Sequence, residues 1–146
     1  MTLNSLKIKK SYIEIDEFDQ NERQVFNYGH SFAHAIESLT DYTVPHGIAV
    51  SFGMDMANFI SVKLGFIEND VRQRVRSQLE KIWMGTTIKN IYVKEFEKAL
   101  SRDKKNIGNT YQLILTKGLG KMLKHGLRPN KNFTDWLKEY FIKQNA

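Results

Sequence analysis

From residue 47 to residue 64 the chain is apolar almost all round, interrupted only by Ser51, Asp55, Asn58, Ser61 and Lys63. A helix with apolar groups on every side sits inside a core, so this pattern predicts a buried central helix. Gly65 follows as its C-cap. Upstream, Val25, Phe26, Phe32, Ala33, Ala35, Ile36 and Leu39 predict a helix from about Asn21 to Leu39, and the acidic Asp16 to Glu22 stretch suits its N-terminus. Thr40 to Pro45 reads as a loop, with Pro45 starting the next helix. Val71, Val75, Leu79 and Ile82 recur at helical spacing within Glu68 to Trp83. Val93 to Arg102 predicts a shorter amphipathic helix, and Thr134 to Gln144 a last one with Trp136, Leu137, Tyr140 and Phe141 facing inwards. Met1 to Leu6 reads as a frayed end and Lys9 to Ile15 as a short alternating segment. Tyr111 to Thr116, a Gly118-Leu119-Gly120 turn and Lys121 to Leu123 predict a small hairpin. The expected class is mainly α: one multi-helix domain over residues 1–146 with a single β-hairpin.

Composition narrows the chemistry. The chain has 146 residues, 41% hydrophobic and 26% charged, which suits one globular domain. It has no cysteine, so disulfides, thiolate metal sites and thiol nucleophiles are excluded. The apolar runs are too short to span a bilayer, and the charged first ten residues lack a signal peptide's core, so the expectation is cytoplasmic with no membrane partner. The net charge of +6 gathers at Lys7 to Lys10, Lys104-Lys105 and Lys117 to Lys131. No nucleic-acid-binding pattern accompanies these lysines. An anionic small molecule, or a surface covered by another domain, accounts for them, and no nucleic acid is expected.

Three of the chain's 4 histidines fall between positions 30 and 46. On the predicted helix, Arg23, Asn27, His30, His34 and Glu37 follow at steps of four, three, four and three, and so share one face. A polar stripe on an otherwise apolar helix leaves costly unpaired groups unless a metal ion, an anionic ligand or both fill the space before it. Without thiolates, any metal must sit on His, Asp, Glu or water, which suits zinc or another divalent ion. Spacing alone allows both His30 and His34 as ligands. Glu37 fits as a hydrogen-bond partner of a ligand, Asp103 as a local cap, His125 as a loop residue at the surface, and Met54 and Met56 as core filler.

Lys9, Asp16-Glu17, Arg23, Asn27-Tyr28-Gly29-His30, His34-Ala35-Ile36-Glu37, His46-Gly47-Ile48-Ala49-Val50 and Gly53-Met54 occur in an order and spacing that resembles the C-terminal half of dehydroquinate synthase and the other sugar phosphate cyclases. Asp103-Lys104-Lys105 ahead of Tyr111 to Thr116 extends the resemblance. It implies an all-α metal- and substrate-binding domain that follows an NAD-binding domain, in an enzyme that cyclises a seven-carbon sugar acid phosphate with loss of phosphate. It implies zinc on His30 and His46 with a glutamate from upstream, and proton movement by His34. The catalytic set is then His34, Lys9 and Asn27. The substrate's charged groups and hydroxyls fall to Lys9, Arg23, Asn27, His34, Lys104 and Lys105. A homodimer is expected.

Departures carry information too. Ile48 stands where the family usually has Glu, Ala33 where Gly is usual, and Asn21-Glu22 where Gly-Leu is common. No glycine-rich dinucleotide fingerprint and no upstream zinc ligand occur here, so the chain alone is expected neither to bind NAD nor to turn over. Two other readings stay open: a related cyclase of a secondary or capsular sugar pathway, and a non-catalytic metal-binding domain.

Overall fold

The computed structural model describes residues 2–18 and 22–145. Its elements run α1 (Leu3–Ile15), a 3-10 helix (Glu22–Asn27), α2 (His30–Leu39), α3 (His46–Lys63), α4 (Asn69–Trp83), α5 (Val93–Ser101), β1 (Tyr111–Thr116), β2 (Met122–Leu127) and α6 (Lys131–Asn145). The mainly α class with one antiparallel hairpin is as the sequence predicts. α3 is the axis: Ala49, Phe52, Met56, Ala57, Phe59 and Ile60 are all buried, and α2, α4, α6 and β1 pack around them. Phe32 and Phe96 stack at 6.3 Å between α2 and α5, and Phe52 lies on Trp83 at 4.2 Å between α3 and α4. No helix among the described residues is long and apolar enough to cross a membrane.

Several expectations are corrected. The segment read as a frayed end and an alternating stretch is the helix α1, begun by the cap Thr2 and laced by a Lys10–Glu14 pair at 3.6 Å; Met1 lies outside the described residues. None of α1 is buried, so its apolar residues answer to no core face, and their spacing was a poor guide to its conformation. Tyr12 packs on Phe26 at 5.0 Å, while Leu3, Leu6, Ile8, Ile15 and Phe18 lie exposed. The helix predicted from Asn21 to Leu39 is two pieces, with Asn21 outside the described residues. The chain breaks at Gly29, whose φ of 78° is left-handed and ends any continuous helix. Arg23 and Asn27 therefore lie on the 3-10 helix and do not continue the face of His30. Ile82 is exposed, not inward. β2 runs on to Leu127, in register Tyr111↔Leu127 to Thr116↔Met122, so His125 is a strand residue packed on Phe66 at 5.3 Å rather than part of a loop.

The polar interruptions of α3 are buried with it. Asp55 is 0% exposed. Its Oδ1 accepts from Arg72 Nε at 3.1 Å, and its Oδ2 from Arg72 Nη2 at 2.9 Å, Arg76 Nη1 at 2.8 Å and Tyr140 Oη at 3.0 Å. Burial first, then the neighbouring carboxylate, hold the Tyr140 hydroxyl protonated well beyond the ordinary tyrosine range, so it stays a donor. One carboxylate thus ties α3 to α4 and α6. Asp55→Ala should cost about 3–5 kcal/mol, because Arg72 would be left buried and unpaired. Urea unfolding measures it; a loss below about 1 kcal/mol would mean that water reaches Arg72 freely.

Candidate functional site

The site is built where α2 meets the start of α3. Gly29 and Gly53 make the approach possible: a Cβ on Gly53 would lie 2.0 Å from the Gly29 carbonyl oxygen, and one on Gly29 would lie 2.6 Å from the Met54 nitrogen. The Tyr28 hydroxyl donates to Asn58 Oδ1, pinning the same turn to the middle of α3. Burial holds that hydroxyl protonated. Residue 30 then opens α2, and residue 46 opens α3 directly after Pro45.

This packing gathers His30, His34 and His46. Ring centroids are 5.9 Å apart for His30–His34, 5.6 Å for His30–His46 and 6.5 Å for His34–His46. Glu37 is buried, and its Oε1 lies 2.7 Å from His46 Nδ1. A carboxylate at that distance accepts a hydrogen from Nδ1, which in the neutral ring leaves Nε2 with a free lone pair. His30 Nδ1 lies 3.3 Å from the Tyr28 carbonyl oxygen, which favours the same tautomer. Burial lowers the His30 pKa; His34, His46 and Lys105 lower it further, and the Tyr28 carbonyl partly opposes them. Neutral imidazoles with free Nε2 atoms are ligands for a divalent ion. Among the described residues no group of three His, Asp or Glu is arranged to hold an ion, so the donor set fits part of a metal site and not a closed cage.

A hollow of about 390 Å³ opens beside His34, lined by Ser31, Ser38, Arg102, Asp103, Lys104 and Lys105. Lys105 also borders a narrow cleft with Asn27 and Ser31. Three cations around one hollow suit an anionic ligand. Asp103 caps locally as expected, its Oδ1 accepting from Lys105 N at 3.0 Å, while its Oδ2 is buried without a partner. Lys9 is exposed on α1, and the Arg23 guanidinium donates to the Glu17 carbonyl at 3.1 Å; neither lines the hollow. The sequence reading missed Ser31, Ser38 and Arg102. Ser31 and Ser38 stand three before and four after His34, a spacing that marks one helix face.

Two outcomes follow. In chelator-treated protein, NMR titration should show His30 losing its proton below the ordinary histidine pKa. The unfolded state then binds more protons in that window, so His30 makes stability rise with pH and fall on acidification through it. Gly53→Ala should destabilise by about 3 kcal/mol, the upper end for overpacking, because it meets backbone. Thermal unfolding tests this, and an unchanged midpoint would contradict the close approach.

Residues 1–106 match the family described as 3-dehydroquinate synthase C-terminal. The chain is 36% identical over 137 residues to 3-dehydroquinate synthase of Campylobacter jejuni, covering 93% of this chain and 39% of that protein. It is 40% identical over 117 residues to the Helicobacter pylori (strain P12) enzyme, covering 80% and 34%. The chain thus spans well under half the length of these relatives. Among solved structures, 2-deoxy-scyllo-inosose synthase complexed with carbaglucose-6-phosphate, NAD+ and Co2+ superposes with a TM-score of 0.71 at 22% identity, covering 87% of this chain and 36% of that one. At that identity the likeness concerns the fold.

Proposed function

Because this chain belongs to the 3-dehydroquinate synthase C-terminal family, we propose that it supplies the metal- and substrate-binding part of an enzyme that cyclises a seven-carbon sugar acid phosphate with loss of phosphate. The observation that carries this reading is the convergence of His30, His34 and His46 beside a cationic hollow. His30 and His46, with Nε2 uncommitted, would hold a divalent ion, zinc in the first instance. Such an ion, when bound, acidifies a coordinated hydroxyl. A further ligand and the NAD site belong to residues beyond this chain's own, and turnover requires them.

Glu37 keeps the hydrogen on His46 Nδ1 and fixes the ring for the ion. His34 is exposed beside both rings, free to take a proton from a substrate hydroxyl and return it. Lys104 and Lys105 bind phosphate and carboxylate oxygens at the hollow, and Asn27 binds hydroxyls across the cleft it shares with Lys105. Lys9 and Arg23 contribute substrate contacts from the α1 side. The reading places the enzyme in the cytoplasm, with the exposed apolar residues of α1 covered by the NAD-binding part or in a homodimer. Ile48 favours one second reading, a related cyclase for another sugar phosphate: it is apolar and half-buried at the position where the family usually has a carboxylate.

Zinc calorimetry on metal-free protein tests the core of this. His30→Ala and His46→Ala should each abolish binding, and Glu37→Gln should weaken it about 10-fold. Zinc binding indifferent to either histidine would overturn the assignment.

A further inference from the structure

A second cavity, of about 480 Å³, opens between α3, α4 and α6, with Phe59, Lys63, Arg72, Arg76, Glu139 and Lys143 on its walls. His46 opens α3 and Lys63 closes it, so the cavity lies roughly 25 Å from the histidine cluster at 1.5 Å rise per residue. It is a separate place on the molecule.

Its walls are cationic in a specific way. Arg72 is 5% exposed and lies over the Phe59 ring at 4.9 Å. Its Nε and Nη2 are committed to Asp55, while Nη1 makes no hydrogen bond to the described residues, and the side chain lines the cavity. Arg76 shares the same Asp55 oxygen. Lys63 and Lys143 approach Glu139 from its two oxygens, at 2.6 and 2.8 Å. Those hydrogen bonds, Lys143 first and then Lys63, hold the Glu139 carboxyl below the usual range. The cations number four against the carboxylates Asp55, Glu80 and Glu139. Among the described residues that line the cavity, Glu139 is the carboxylate, and its side chain is 36% exposed. A single carboxylate gripped by two ammonium groups marks a position already shaped for an oxyanion, and the open volume next to it is larger than Glu139 uses.

We propose that this cavity is a binding site for a small phosphate-bearing metabolite, whose oxyanion takes Lys63 and Lys143 from Glu139 and accepts from an Arg72 N–H that Asp55 does not use. Two ammonium groups and one guanidinium edge match the several oxygens of a phosphate dianion better than the two of a carboxylate. Glu139 then acts as an internal competitor that fills the position when the metabolite is absent.

Inorganic phosphate, titrated by calorimetry, tests the site in protein carrying Arg102→Ala, Lys104→Ala and Lys105→Ala, which removes the three cations of the hollow beside the histidines. The expected result is saturable one-site binding, tightened about 3-fold to 10-fold by Glu139→Gln and weakened at least about 10-fold by Lys63→Ala with Lys143→Ala. All three side chains are partly exposed, so circular dichroism should show these variants folded. No saturable binding, or binding indifferent to both changes, would overturn the site. Citrate titrated in parallel separates the sources: citrate binding as tightly as phosphate would overturn the phosphate assignment.

Discussion

The contact between the backbones of Gly29 and Gly53 is the constraint on which the rest of this arrangement depends. No side chain fits between the α2 entry turn and α3 there. Because the two backbones touch, residues 30, 34 and 46 come within one imidazole's reach of each other. The left-handed φ at Gly29 adds a second requirement, since the chain must turn from a 3-10 helix into α2 at that residue. The histidine geometry is therefore set by two residues with no chemistry of their own. Glu37 and Asn58 refine it, one by orienting His46 and the other by holding Tyr28.

The second organising interaction is electrostatic. A carboxylate with no exposed surface is costly to bury, and Asp55 is stable there only because four donor contacts from Arg72, Arg76 and Tyr140 surround it. Nonspecific packing would let α4 and α6 slide on an apolar helix. Asp55 fixes them in register against the middle of α3. The middle of the axis thus carries two anchors two residues apart: a steric one at Gly53 towards α2 and an ionic one at Asp55 towards α4 and α6.

Much of this was legible in the sequence, and the misses have physical causes. The apolar run of α3, the amphipathic α4 and α5, and the hairpin all follow from periodicity tied to burial. α1 was not legible because nothing in it is buried, so its pattern carried no information about a core face. The break at Gly29 was hidden because Arg23, Asn27, His30, His34 and Glu37 keep helical spacing across it; only the glycine marked the possibility. At the site, the gathering of the three histidines and the Glu37 partnership could be read from spacing and from the family resemblance. The roles given to Lys9 and Arg23 rest on that resemblance alone, since their side chains lie outside the hollow. Asp55 was visible only as an interruption; its partners are far along the chain, where no local pattern could connect them.

α1 has a thermodynamic consequence of its own. It touches the rest of the described structure chiefly through the 3-10 helix and buries no residue. Its opening therefore exposes little apolar surface and is not coupled to unfolding of the core. Amide hydrogens along residues 3–15 should exchange through local fluctuations, while those of α3 wait for global unfolding. Any ligand that uses Lys9 must spend part of its binding free energy on ordering this helix. A surface that covers Leu3, Leu6, Ile8 and Ile15 would bear that cost in advance, so affinity at the histidine end would report on whether α1 is covered.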